Sequence, residues 1–261
     1  MTGASLPDAL LSVRDVSLSF RGIHALTALS FDIKRGEICS LIGPNGAGKS
    51  SLLNLVNGVY WPDSGTIVFD GQTYRRLRAH QAAMLGIART FQNNALFRNL
   101  SVLENVLTGL SRHGRASVAS HLLQLPTARR EERAFRERAE DVLGFLHIDA
   151  YRDAIVGQLP YGLQKRVELG RALVSRPAFI LLDEPMAGMN DAEKAEMSRF
   201  VFDINRDLGV TVLLIEHDIG VVMNVSDHVV VLDYGRKVGD GTPAQVRDNP
   251  DVIAAYLGTR H

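Results

Sequence analysis

Gly43-Pro44-Asn45-Gly46-Ala47-Gly48-Lys49-Ser50 is the stretch from which the fold can be read. It fits the pattern G-x-x-x-x-G-K-[ST] at every position. Just upstream, residues 38–42 (Ile-Cys-Ser-Leu-Ile) are apolar at nearly every position, as a strand buried on both faces should be. Just downstream, a helix is expected to begin near Lys49. Strand, glycine-rich loop and helix in that order are the context the motif requires. The loop from Gly43 through Pro44, Asn45, Gly46 and Ala47 to Gly48 can turn several backbone N–H groups inward. With the helix N-terminus they make an anion-binding hollow. Lys49 is expected to reach the β- and γ-phosphates of a nucleotide, the Ser50 hydroxyl to ligate magnesium, and Ser51 to contact a neighbouring phosphate. A glycine-rich turn that binds nothing is the bland alternative, and the flanking elements argue against it. The motif points to a nucleoside triphosphate and leaves the class of enzyme open.

Outward from this loop the pattern is α/β. Residues 11–20 alternate, apart from one slip, and residues 29–33 and 66–70 read as further strands, with Asp70-Gly71 closing a hairpin. From about residue 96 to 174 the character becomes helical. Residues 101–110 and 128–146 read as helices, the second with Phe135, Ala139, Val142, Leu143 and Leu146 on one buried face. The run Arg129-Arg130-Glu131-Glu132-Arg133 has mixed signs at helical spacing and reads as a solvated face. Buried-strand character returns at residues 179–182, 210–215 and 229–232. The 261 residues carry 29 basic and 29 acidic side chains, so no net field attracts nucleic acid or an anionic membrane. Cys39 stands alone and cannot form an internal disulfide; it reads as a small buried residue. Residues 1–13 lack the cationic start and apolar run of a signal peptide, and no window approaches the ~20 apolar residues of a membrane span.

Phe179-Ile180-Leu181-Leu182-Asp183-Glu184 is an apolar strand ending in two acids. Ligands bind at such strand ends in parallel sheets. Asp183 is placed to hold the magnesium shell, and Glu184 to polarise a water as general base. Paired acids that merely cap a strand are the alternative, and they fit poorly downstream of a complete phosphate loop.

Leu159-Pro160-Tyr161-Gly162-Leu163-Gln164-Lys165-Arg166 precedes that strand by one helix. Here the chain resembles the ABC ATPases, whose signature reads L-S-G-G-Q followed by a basic residue. The resemblance covers nearly the whole chain. It implies a RecA-like P-loop core with an N-terminal antiparallel β subdomain and a helical subdomain carrying the signature. One domain would then fill 1–261, with 1–92 and 177–261 forming the β subdomain and core and 93–176 the helical part. Phe20 stands where an aromatic stacks on adenine. Gln92, after Arg89-Thr90-Phe91, looks like the Q-loop glutamine, a ligand of magnesium and of the attacking water. Met186 to Asn190 looks like the D-loop, and His217 like the switch histidine that holds Glu184 and senses the γ-phosphate. Arg89-Thr90-Phe91-Gln92, Ile215-Glu216-His217-Asp218 and the tail from Asn249 to Gly258 are similar to branched-chain amino-acid importer ATPases of the LivG or BraF kind.

The resemblance implies ATP and Mg²⁺ as ligands and a head-to-tail pair of ATPase subunits, equal or different. In that pair Leu159, Pro160, Tyr161 and Gly162 close on the partner's ATP. It further implies two transmembrane permease subunits, an indirect periplasmic solute-binding protein, no nucleic acid, and a peripheral place on the cytoplasmic face of the inner membrane. Leu96 and Phe97 are candidates for receiving a permease helix. Three positions depart from the family: Pro160 for the signature serine, Leu163 for its glutamine, and Asn190 for the D-loop aspartate. Proline lacks both the hydroxyl and an N–H, so the site completed by this signature is expected to be the weaker of two. ABC ATPases of lipid or lipopolysaccharide exporters and soluble, non-transport ABC ATPases remain alternatives at this stage. A P-loop kinase or GTPase would leave Gly162 unexplained.

Overall fold

A computed structural model of the chain describes residues 8–90, 96–111 and 126–257. They fall into two compact units. One takes the residues up to Arg89, then Ala178–Gly188 and Lys194 onward; the other takes Thr90–Pro177 and Met189–Glu193.

The first unit holds two sheets. In the antiparallel one, β1 (Ala9–Phe20) and β2 (Ile23–Lys34) join β4 (Ser64–Phe69) and β5 (Gln72–Tyr74) in the order β2-β1-β4-β5. β2 begins six residues earlier than its hydrophobic alternation indicates. The alternation fails because β1 and β2 slip in register, with Asp15 and Ala28 at φ 46° and 45°. Side-chain hydroxyls meet the freed backbone: Ser30 Oγ accepts the Asp15 N–H at 2.8 Å, and Ser17 Oγ the Ala28 N–H at 3.0 Å. Both strands therefore continue through a bulge.

The second sheet contains β3 (Ile38–Ile42), β6 (Ile87–Arg89), β7 (Phe179–Asp183), β8 (Thr211–Ile215), β9 (His228–Asp233) and β10 (Arg236–Gly241). Its order is β10-β9-β3-β8-β7-β6, parallel except for the antiparallel edge strand β10. β3, β7 and β8 are buried at every residue, as their largely apolar runs lead one to expect. Leu11, Val13 and Ile67 of the first sheet share one core with Leu41, Leu181 and Leu213 of the second, and the rings of Phe69 and Phe179 meet at 6.0 Å. Each such buried side chain contributes about 1.5–3 kcal/mol. Helix α1 (Lys49–Val56) sends Leu52, Leu53, Leu55 and Val56 into this core, and α2 (Ala79–Met84) adds Ala82.

In the second unit, α3 (Val102–Thr108), α4 (Pro126–Phe145) and α5 (Tyr161–Leu173) pack together. Ser101 and Glu104 form a reciprocal capping box at the start of α3. Of the residues expected on one face, Ala139, Leu143 and Leu146 are buried while Phe135 and Val142 are half-buried; Ala128 is buried too, and the Arg129–Arg133 stretch of α4 is mostly exposed. Gly170 lets α5 approach closely: a Cβ there would lie 3.2 Å from Leu146 and 3.3 Å from Val106. Among the described residues the remaining α-helices are α6 (Asp191–Arg206), α7 (Ile219–Val225), α8 (Pro243–Arg247) and α9 (Pro250–Leu257). Among the described residues, no helix is long and apolar enough to cross a membrane.

Candidate functional site

β3, β8 and β7 are neighbours in that order and run parallel, so their carboxyl ends open on one edge of the sheet. The first end leads into Gly43, the second into Glu216 and His217, and the third closes on Asp183 and Glu184. The phosphate loop, more than a hundred residues upstream of the other two motifs, thus meets them through strand order alone.

Gly43 and Gly48 of the loop are required by space as well as by backbone angle. Gly43 has φ 145°, and a Cβ on it would run into the Leu232 carbonyl oxygen. Gly48, at φ 102°, caps α1, and a Cβ there would stand 2.5 Å from the Ala25 carbonyl oxygen. Lys49 is 7% exposed and folds back on the loop, its Nζ donating to the Gly43 and Pro44 carbonyls at 2.7 and 3.0 Å. Burial lowers its pKa, while the nearby Glu184 and Asp183 charges act in the opposite direction. Ser50 is exposed and Ser51 half-buried in the first turn of α1; Asn45 and Gly46 are exposed at the loop's tip.

Asp183 is held by a residue to which the sequence reading gave no separate role. Arg89 Nη2 donates to Asp183 Oδ2 at 2.9 Å with both side chains almost fully buried, and Arg89 Nη1 donates to Asn54 Oδ1 at 2.6 Å. Arg89 ends β6 and Asn54 lies in α1, so the pair ties two elements to the acidic strand. Glu184 sits just past that strand at φ 50°. His217 Nε2 lies 2.7 Å from Glu184 Oε1. A carboxylate only accepts, so in this contact the imidazole donates. Glu216, beside His217, is buried and hydrogen-bonds the Met186 N–H at 2.9 Å. Arg89 and Glu216 both fall within stretches quoted for the family resemblance, but no spacing in the sequence assigns either of them a partner.

Phe20 is 41% exposed and meets Tyr60 edge-on at 5.1 Å. Gln92 lies outside the described residues. In the second unit, α5 begins at Tyr161, with extended Pro160 as its cap and the Pro160 carbonyl accepting the Gln164 N–H. Tyr161 is exposed, Leu159 is buried, and Gly162 is buried under Glu193, whose Oε1 would lie 2.6 Å from a Cβ there. Asn190 is the N-cap of α6: its Oδ1 accepts the Glu193 N–H and Glu193 accepts the Asn190 N–H, both at 3.0 Å. The spacing Asn-x-x-Glu could have announced that cap in the sequence. Leu96 is buried and Phe97 is 55% exposed.

This chemistry suits a nucleotide and magnesium. A glycine-rich loop that runs straight into the N-terminus of α1 is of a kind that brings backbone N–H groups to a bound anion. Asp183 at the end of β7 and the Ser50 hydroxyl in the first turn of α1 are oxygen donors of the kind magnesium takes. The Glu184–His217 pair is of a kind that can orient and deprotonate water.

Comparison with known proteins agrees with this geometry. The sequence pattern of the ABC transporter family matches residues 26–187, and that of the branched-chain amino acid ATP-binding cassette transporters matches residues 236–261. The chain is 39% identical over 249 residues to the high-affinity branched-chain amino acid transport ATP-binding proteins BraF of Pseudomonas aeruginosa and LivG of Escherichia coli. The match covers 95% of this chain and 98% of each relative. Among solved structures, an ATP-binding cassette of an ABC transporter in its ADP conformation superposes with a TM-score of 0.84 at 31% identity, covering 96% of this chain and 99% of that one. A dimeric cassette in a post-hydrolysis state, bound to ADP and phosphate, gives 0.75 at 26% identity over 89% and 98%.

Proposed function

The chain belongs to the ABC transporter family of ATP-binding cassettes, and from that premise we propose that it powers an importer of branched-chain amino acids or related amino acids or amides. The observation that carries the reading is the convergence of the phosphate loop, Asp183–Glu184 and His217 at three adjacent strand ends, with His217 2.7 Å from Glu184. The match of the tail to the branched-chain subgroup supports the choice of solute.

In this reading the loop from Gly43 to Ser51 wraps the phosphates. Lys49 exchanges the Gly43 and Pro44 carbonyls for phosphate oxygens, and Phe20 stacks on the adenine. Ser50, Asp183 and Gln92 would hold magnesium, which when bound offsets phosphate charge. Glu184 takes the proton of the attacking water. His217 orients Glu184 and registers the γ-phosphate. Leu159, Pro160, Tyr161 and Gly162 face the ATP of a second ATPase subunit, and Asn190 lies at the same junction. Nucleotide favours the closed pair and hydrolysis releases it, so the difference in affinity does work on the permeases.

The assembly comprises a second ABC ATPase, two permease subunits and, through them, a periplasmic binding protein, with this chain on the cytoplasmic face of the inner membrane. Pro160 makes the site completed by this chain the weaker one, and Pro160→Ser is expected to raise nucleotide affinity or turnover. Affinity capture of the tagged chain from detergent-solubilised host membranes tests the reading. Recovery of two multi-span permeases and a different second ATPase is the expected result. A chain found only in the soluble fraction, with no membrane protein, overturns the transporter and favours a soluble ABC ATPase.

A further inference from the structure

Glu216 is buried, 4% exposed, and the mechanism above gives it nothing to do. Its Oε1 accepts the Met186 N–H at 2.9 Å and its Oε2 the His217 N–H at 3.3 Å. Burial pushes its pKa up, and those two N–H groups pull it back. A carboxyl in such a place is costly to bury unless hydrogen bonds hold it, and the bond to the Met186 N–H is the shorter of its two.

Met186 lies two residues past Glu184, inside the turn that the Ala187 N–H closes on the Glu184 carbonyl at 3.2 Å. Glu184 itself is left-handed at φ 50°, a conformation that residues with a side chain avoid unless their surroundings impose it. The turn after β7 is therefore gripped at two points by consecutive residues of the turn after β8. His217 meets the Glu184 carboxylate, and Glu216 meets the backbone two residues on. A third tie is the Glu184 N–H, which donates to the Ile215 carbonyl at 3.0 Å.

We propose that Glu216 is the positioning residue of Glu184: by bonding the Met186 N–H it fixes the turn after β7 and aims the Glu184 carboxylate at its water. The inference rests on the assignment of Glu184 as the base. It makes residues 215–217 one clamp on the turn that carries the base.

Glu216→Gln retains an oxygen acceptor for the Met186 N–H, whereas Glu216→Met keeps the volume and removes it. ATP turnover and equilibrium ATP–magnesium affinity are measured for both. Glu216→Met is expected to lose about tenfold or more in kcat, since a misplaced base costs that much, with Kd within about twofold. Glu216→Gln is expected to recover kcat to within about threefold of wild type. Should Glu216→Met fail to fold, Glu216→Asp, one methylene too short to reach Met186, is expected to show the same selective loss. Wild-type turnover in the Met or Asp variant overturns the inference. So does a loss of affinity in step with turnover, or a Gln variant as slow as the Met variant. Glu184→Gln is assayed alongside. If it hydrolyses ATP at the wild-type rate, the base assignment and this inference fall together; if it is inactive while Glu216→Met is fully active, only the inference falls.

Discussion

Replacing Arg89 by methionine probes how the acidic strand is held. The Arg89 and Asp183 side chains are 8% and 4% exposed and meet at 2.9 Å, so solvent screens the pair little. Arg89→Met keeps most of the volume and removes the guanidinium from Asp183 and from Asn54 Oδ1. Breaking a buried pair from one side costs about 3–5 kcal/mol, most of it from the carboxylate left behind. The assay is urea unfolding of four proteins: wild type, Arg89→Met, Asp183→Asn and the double variant. Arg89→Met should lose about 3 kcal/mol or more. In the double variant the amide needs no counter-charge, so the loss should fall short of the sum of the single losses by about 1–3 kcal/mol. Single losses that add within about 0.5 kcal/mol would refute the argument that the pair acts as a unit.

Other perturbations follow from the same geometry. Gly43→Ala adds a collision with the Leu232 carbonyl to a backbone penalty and should lower stability by about 3 kcal/mol or more; Gly46→Ala, at φ 82° with open space around it, should lose only about 1–2 kcal/mol. Both are read by thermal or urea unfolding. His228, between Glu37 at 3.2 Å and Asp240 at 2.7 Å, has its pKa pushed up to about 12 from 6.5, chiefly by Asp240, then Cys39 and Glu37. The folded protein thus binds this proton more tightly than the unfolded chain. The stabilisation is complete below pH 6.5 and is lost as pH rises towards 12. Between pH 7 and 9 wild type should lose about 1 kcal/mol or more relative to His228→Gln, and parallel pH curves for the two would contradict this. Glu184→Gly should be more stable than Glu184→Ala by about 1 kcal/mol because only glycine tolerates φ 50° freely, while both lose turnover.

The phosphate loop, its strand and the acidic strand were legible because each is a local pattern. Residues 38–42 were read as a strand from their apolar run, and the structure gives β3 the same bounds. Elsewhere tertiary pairing decided the outcome. Residues 23–28 carry no alternation, yet they extend β2 because β1 holds them through a bulge met by Ser17 and Ser30. Arg89 and Asp183 are 94 residues apart, and Glu216 and Met186 are 30 apart. No spacing rule connects such pairs; only the strand order β3-β8-β7-β6 does. Asn190 shows the converse case. Read against the family it is a departure, whereas the Asn-x-x-Glu spacing describes what the residue does, which is to cap α6.

The most direct test of the account is phosphate release from ATP by Glu184→Gln beside wild type, with nucleotide affinity measured on the same preparations. The substitution keeps the side chain's shape and its contact with His217 and removes the base. Unchanged ATP affinity is expected, with turnover reduced by about a hundredfold or more, since general-base catalysis contributes about 10²–10⁴. A Glu184→Gln protein that binds ATP and releases phosphate at the wild-type rate would contradict it.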